Sequence, residues 1–442
     1  MRERRTVSGR TAMSGEDSSI GAAAAPPAAA IRNNSPGYVL ALLAAVSFFN
    51  NLDRMVLPIL VEPIKLELNL SDSQMGLMSG IAFALFYATL GLPLARVADR
   101  YFRVRLIAVC LILWSAMTAV TGMARNFTEL FLARMGVGVG EAGCAPASHS
   151  ILGDLFPAER RPFAISIFQA GGTLGQSAGL ALAGVIAEIY GWRTALLVVG
   201  LAGIPLALLM LFTVREPPRA PRHAEAAGES TWTTLKALLA RPPLVHLVIG
   251  VAIATFTTMG MVQWLPAFFI RSHGLNLAEV GVLNATAGVI AAVFGTIFGG
   301  YALTRLGKKD ARWELWWPMM VFAIFPFFMA PSFLVDDWRI MIGLQVAGFF
   351  FSASAGGVAF AALQSYVEPH RRATAVATLL FLSSLLGLGL GPVLVGVISD
   401  LLALSFGQES LRYALLATLC LPFWASTHFW LAARDSKRWR LG

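Results

Sequence analysis

Charge is scarce in this 442-residue chain. Asp, Glu, Lys and Arg together supply 13% of it and apolar residues 57%, whereas soluble domains carry about 25% charged residues. So little charge cannot solvate a folded surface, which excludes a large water-soluble fold and makes a bilayer the solvent. Cysteine is rarer still. Cys110, Cys144 and Cys420 each fall inside an apolar run with no paired spacing, which argues against a disulfide framework or a thiolate metal site. His149, His246, His370 and His428 are scattered singly without a second ligand at metal spacing, so no metal site is expected. No strand followed by a Lys-Ser/Thr loop accompanies the glycine-rich runs, so they are not phosphate loops. No nucleic-acid module is visible, and residues 1–36 lack the continuous apolar stretch of a cleaved signal; they read as a disordered cytoplasmic tail.

What is present is a series of apolar runs near twenty residues long, about the span of a hydrocarbon core. Twelve can be drawn, at 37–62, 73–95, 104–124, 128–153, 162–189, 194–213, 243–270, 278–303, 314–331, 338–366, 372–400 and 410–433. Placing the N-terminus inside puts 26 of the 34 Lys and Arg residues on the inner side and 6 on the outer, as the retention of positive charge in cytoplasmic loops requires. The net charge of +9 is then mostly this asymmetry plus contact with anionic headgroups.

The chain also repeats itself. LNLSDSQMGLMSG (68–80) is echoed by LNLAEVGVLNATAG (275–288), and GLPLARVADRYFRVR (91–105) by GGYALTRLGKKDAR (299–312), with Gly76 answering Gly281 and Arg100 answering Arg305 at one offset of 205 residues. Six spans per copy make the two copies enter the membrane in the same direction, as parallel repeats about an axis along the membrane normal. The expectation is an all-α membrane protein of two pseudo-symmetric six-helix bundles, 37–213 and 243–433. A cytoplasmic linker at 214–242 joins them, its 231–240 portion fit for an amphipathic surface helix, and a short tail covers 434–442.

Burying one charge at mid-bilayer costs about 2.5–3.5 kcal/mol on insertion scales, so ionisable residues deep in spans are functional candidates. Four qualify: Asp53 and Arg54 in the first span, Arg134 and Glu141 in the fourth. Their charges cancel, and a separation of seven places Arg134 and Glu141 on one helix face about 10 Å apart along the axis. Because desolvation and a nearby guanidinium act oppositely on a carboxyl group, moving an arginine can load or release a proton. Asp53 and Glu141 are therefore the candidate protonation sites, Arg134 the switching counter-charge, and Arg54 a second cation for the network or for an anionic substrate group. The second half has no matching charges. It offers polar side chains such as Thr257, Gln263 and Asn284 among Phe and Leu, with Trp264 as a candidate cavity residue, so the expected cavity is charged on one wall and apolar on the other. Arg54, Arg134, Glu141, Trp264, Gln263 and Thr257 form the candidate substrate set.

Ala95-x-x-x-Asp99-Arg100-x-x-Arg103-x-Arg105 resembles the cytoplasmic signature of the major facilitator superfamily, although Ala95 and Phe102 stand where glycine is usual; the second copy keeps Gly300 and Gly307 but has Thr304 in the Asp place. The resemblance implies the major facilitator fold and a cytoplasmic gate of Asp99, Arg100 and Arg103 latching onto the eleventh helix, with Arg305 as the second-copy counterpart. Within the superfamily, NNLDR, LSDSQMGLMSGIAFALFYA, LARMGVGVGEAG, FPAERR and GWR make the first half similar to Spinster-type transporters. That similarity implies an amphipathic lysophospholipid or sphingolipid-like substrate.

The expected activity is secondary transport by alternating access, with a proton gradient as the driving force and no cofactor. The expected partners are the substrate and membrane lipids, the chain being a monomer. Short loops and the absence of a targeting peptide favour a bacterial inner membrane with both termini cytoplasmic. A proton-coupled organic-anion or drug transporter is the nearest alternative. A membrane-embedded enzyme would need a converging acid, base, nucleophile or metal, which the scattered histidines do not supply.

Overall fold

A computed structural model describes residues 35–157, 159–218, 235–236, 238–368 and 371–436, without the side chains of residues 92, 99, 373 and 435. Most of both expected tails, His370 and most of the linker lie outside the described residues; of the candidate surface helix, residues 235–236 and 238–239 are described and helical.

Nine stretches among the described residues are long and apolar enough to cross a bilayer. Two of the nine hold two spans each, and the fourth span lies outside them because it is interrupted, which gives twelve. Arg161–Thr213 carries two spans joined at Gly191, whose φ of 82° lies in the region glycine alone enters freely. The stretch 374–434 likewise carries two, joined at Gly407 with φ 55°. The fourth span is interrupted: Phe127–Glu141 ends where Ala142 and Gly143 form a turn, and Cys144–Leu155 continues it.

The remaining spans follow their sequence signals. The first is Pro36–Leu68, opened by proline in its first turn and closed by Asn69 in the left-handed region. The second begins with a capping box between Ser71 and Gln74, runs Asp72–Ser79, bends at Gly80 and continues as Ile81–Arg100. The third is Arg103–Thr121. In the second half the spans are Pro242–His273, Leu277–Leu306, Trp313–Leu334 and Trp338–Ser365. The eleventh is Arg372–Ser383, a π-helical turn Ser384–Leu390 and Gly391–Phe406; the twelfth is Ser410–Ala417 with Cys420–Asp435.

Small residues bring these helices together. In a bilayer the solvent is as apolar as leucine, so helices associate through close packing and polar contacts. Gly171, Gly175 and Gly179 on the fifth span face the carbonyls of Ala44, Phe48 and Leu52 on the first, and a Cβ added to them would fall 2.4, 2.1 and 2.4 Å from those oxygens. Both rows advance by four residues, so the two helices run as one seam. Trp114, midway along the third span, is buried in the first-half core beside Gly140.

The first span starts, and the twelfth ends, at the same end of the bundle, here called proximal; the opposite end is distal. Gly175→Val forces the seam apart against backbone and should cost about 1–3 kcal/mol, occasionally more. Gly356→Ala meets nothing within 4 Å and should change stability by no more than about 0.5 kcal/mol. Thermal melting of the two purified variants in detergent checks the contrast.

Candidate functional site

The break after Glu141 lets the fourth span carry its carboxylate into the first half's interior. There Arg54 Nε donates to Glu141 Oε2 at 2.7 Å. The second pair is looser: Arg134 Nη1 stands 3.6 Å from Asp53 Oδ2, beyond hydrogen-bonding distance. All four groups predicted from sequence are thus brought together, paired first span to fourth. Asp53, Arg134 and Glu141 are buried, while the Arg54 side chain is 21% exposed toward the interior space. Asp53 Oδ2, Arg134 Nε and Nη1, and Glu141 Oε1 have no hydrogen-bond partner. Spare buried donors and acceptors leave the cluster able to exchange pairings.

Sequence reasoning missed the floor of this cluster. Phe83 and Tyr87, four apart on the second span, stack with ring centroids 5.3 Å apart. The Arg54 guanidinium lies 4.6 Å from the Tyr87 centroid and 5.1 Å from that of Phe83, and Arg134 lies 5.8 Å from Phe83. Cation–π attraction to aromatic faces offsets part of the cost of holding cations away from water. The i, i+4 spacing of the two rings in IAFALFYA was the available signal.

Three cavities lie in series from this point, each sharing wall residues with the next. A small one of about 60 Å³ is walled by Arg54, Arg134, Ser79 and Phe83 from the first half and by Met259, Gln263 and Leu388 from the second. Met55, Met259 and Val262 are shared with a central cavity of about 270 Å³, whose walls include Gln176, Leu180, Asn284, Gln345 and Phe349. Thr258 and Ser352 connect that in turn to a pocket of about 150 Å³ lined by Phe322, Phe360 and Phe429 inside the second half. The walls grade from two arginines to aromatic rings.

Of the predicted substrate residues, Arg54, Arg134 and Gln263 line this path, and the Gln263 Nε2 has no partner. Two do not. Thr257 is buried with its hydroxyl donating to Ile253 O, and Trp264 is fully buried with its N–H donating to Pro392 O at 2.9 Å. Trp264 pins the seventh span to the eleventh instead of facing the cavity, because its indole N–H finds a carbonyl there. Thr258, one residue on, takes the wall position.

The proximal residues take different roles. Arg103 is fully buried within the first half, donating to Glu216 Oε1 at 2.8 Å, Ser150, Pro217 O and Asp154. It fastens the segment after the sixth span to the third and fourth, so its guanidinium is engaged inside one half. Arg100 and Arg305 are exposed, Arg305 over its own Tyr301 ring, and the Asp99 side chain lies outside the described residues. Glu368, between the tenth and eleventh spans, is pushed up by its partial burial but held on balance below the usual carboxylate range by backbone hydrogen bonding and Arg241. Two histidines predicted to be solitary are paired: His246 and His428 place their Nδ1 atoms 3.0 Å apart. Their separation of 182 residues hid this.

At the distal end the halves are tied by a network that was not predicted. Arg271 on the seventh span donates two parallel hydrogen bonds to Asp72, at 2.7 and 2.8 Å, and a third to Glu62 at 2.6 Å. Asp72 also meets Lys65 at 2.7 Å and accepts from Ser399 at 2.6 Å. Bidentate guanidinium–carboxylate pairing is the strong form of this contact, and it closes the distal side.

A family model described as the Major Facilitator Superfamily matches residues 43–392. The chain belongs to that superfamily. Among its relatives, an MFS-type efflux pump of Mycolicibacterium smegmatis is 32% identical over 401 residues, covering 90% of this chain and 92% of the pump. Human protein spinster homolog 1 is 29% identical over 83% of this chain and 74% of its own length. The crystal structure of a bacterial homologue of the human lysosomal transporter Spinster, inward-facing and unoccupied, superimposes with a TM-score of 0.84 at 30% identity, covering 92% of this chain and 98% of that one. This is a Spinster-like major facilitator, a secondary transporter working by alternating access, and the family is not enzymatic.

The Spinster-like motifs now have tasks. In GWR, Gly191 turns the chain, Trp192 Nε1 donates to Glu67 at 2.6 Å, and Arg193 binds Glu67 and the carbonyls of Gly122 and Ala124. In NNLDR, Asn51 accepts from Gln176 on the fifth span at 3.1 Å.

Removing one member of a buried ion pair leaves the other uncompensated, at a cost of about 3–5 kcal/mol. The partial exposure of Arg54 puts Glu141→Ala at the lower end of that range, and combining Arg54→Met with Glu141→Leu should recover most of the loss. A melting series on the two single variants and the double variant measures this; additive losses would show that Arg54 and Glu141 are not energetically paired.

Proposed function

We propose that this transporter couples a proton gradient to the movement of an amphipathic, lipid-like solute of the lysophospholipid or sphingolipid type, in a bacterial inner membrane, as a monomer with both termini in the cytoplasm. The proximal end is then cytoplasmic, and the closed distal side makes the conformation inward-facing. The observation that carries the reading is the series of adjoining cavities. Two arginines at one end suit an anionic or zwitterionic head, and the apolar and aromatic walls beyond suit a hydrocarbon body, so one molecule satisfies both only if it is amphipathic.

Proton coupling rests on the two carboxylates. Asp53 is held loosely by Arg134, while Glu141 is bound by Arg54 through one oxygen only. An anionic substrate head drawn to Arg54 or Arg134 competes with the carboxylates for the guanidinium, and a carboxylate losing its partner in a poorly solvated interior takes up a proton. Substrate and proton are thereby exchanged at the same arginines. The resemblance of the first-half motifs to Spinster-type transporters supports the lipid-like substrate, and similarity to a mycobacterial efflux pump favours a second reading, export of an organic anion or drug.

Uptake of labelled lysophospholipid into proteoliposomes with and without an imposed proton gradient separates these readings. Saturable, gradient-driven movement is expected, with Glu141→Gln and Asp53→Asn each reducing it at least about tenfold, the scale of losing one essential proton carrier. If both variants keep full proton dependence, the coupling assignment is wrong. If lysophospholipid neither moves nor competes while a small organic anion does, the second reading replaces the first.

A further inference from the structure

Two contacts across the distal interface repeat one chemical device. The eighth span starts at Leu277, and its backbone N–H donates to Glu188 Oε2 on the fifth span at 2.9 Å. The second span starts at Asp72, and the N–H groups of Asp72 and Ser73 donate to Asp400 Oδ1 and Oδ2 on the eleventh, at 3.0 and 2.7 Å. Residues 72 and 277 are separated by the repeat offset of 205. Each helix already has a cap from its own chain: Ser71 serves the N–H of Gln74, and Asn276 that of Glu279. What remains free at a helix start is the first-turn N–H groups and the positive end of the dipole. A carboxylate from the opposite half takes them in both places.

The carboxylates arrive in matching sequence. Glu188 ends Gly184-Val-Ile-Ala-Glu188 and Asp400 ends Gly396-Val-Ile-Ser-Asp400. In both, the glycine four residues before the acid packs on the carbonyl of the helix start that the acid caps. A Cβ on Gly184 would fall 2.4 Å from Leu277 O, and one on Gly396 would fall 2.3 Å from Asp72 O. Glycine and acid, one helical turn apart, therefore grip the carbonyl and the N–H of a single residue in the other half.

We infer that these two Gly-Val-Ile-x-acid segments are twin latches that hold the distal side shut, each by capping the first turn of a helix in the opposite half. They differ in reinforcement. The Asp72 side carries the additional Arg271, Glu62, Lys65 and Ser399 contacts, whereas the Leu277 side has Glu188 as its polar tie. The fifth–eighth interface is accordingly the weaker seam, and distal opening begins there.

The inference rests on alternating access but not on the substrate or the proton, and its test reads conformation directly. Val262→Cys places a thiol on the wall shared by two cavities, in a Cys420→Ser background, since Cys110 and Cys144 are buried. A membrane-impermeant maleimide added from the distal side reports the distal-open population. Glu188→Ala and Asp400→Ala should each raise the labelling rate on the order of fivefold, the scale of losing one helix cap, with Glu188→Ala giving the larger increase. Glu188→Asp and Asp400→Glu, which keep the charge, should stay nearer the parent rate. Gly184→Ala should raise it too. Parent-level distal labelling in both alanine variants, with proximal labelling retained as proof of folding, overturns the inference. If the alanine variants do not fold, Glu188→Gln and Asp400→Asn decide: raised distal labelling supports the latches and unchanged labelling overturns them.

Discussion

The cost of holding charge in hydrocarbon organises this molecule. An isolated ion at mid-bilayer is expensive, so Asp53, Arg54, Arg134 and Glu141 occur as a neutral set between two spans, with the arginines resting on Phe83 and Tyr87. Several atoms of that set stay without partners. A fully satisfied cluster would be a static rivet; this one combines one short ion pair and one long one, and adjoins a cavity through which a ligand can reach it.

The same economy explains how the halves meet. Without a hydrophobic force between helices in lipid, contact comes from glycines that admit carbonyls and from polar groups that have no alternative partner. Within the first half, the Gly171, Gly175 and Gly179 seam has few reasons to open. Between halves, the glycine contacts are accompanied by carboxylates on helix starts and by Arg271 on Asp72 and Glu62. Those polar ties can be exchanged for water when the distal side opens, so they suit a surface that must form and break in each cycle.

The two halves are alike in backbone and unlike in chemistry. The internal repeat reproduces span order, helix starts and the distal latches, yet the central charges belong to one half and the aromatic pocket to the other. Symmetry supplies the motion, since parallel repeats rock about a shared axis. Asymmetry gives the interior two different walls, as the proposed amphipathic ligand requires.

The sequence by itself determined the spans, the repeat and the four interior charges, since hydrophobic length, positive-charge bias and the cost of a buried ion are local properties that composition and spacing record. It could not show which arginine meets which carboxylate, that Phe83 lies beneath both and Tyr87 beneath Arg54, or that His246 meets His428. Nor could it place Trp264 on Pro392 or Arg103 within its own half. The distal residues looked like ordinary span ends because their partners across the halves lie 89 to 328 residues away in the chain. Those facts depend on which helix faces cross and at what register, which only the packing of the two bundles fixes.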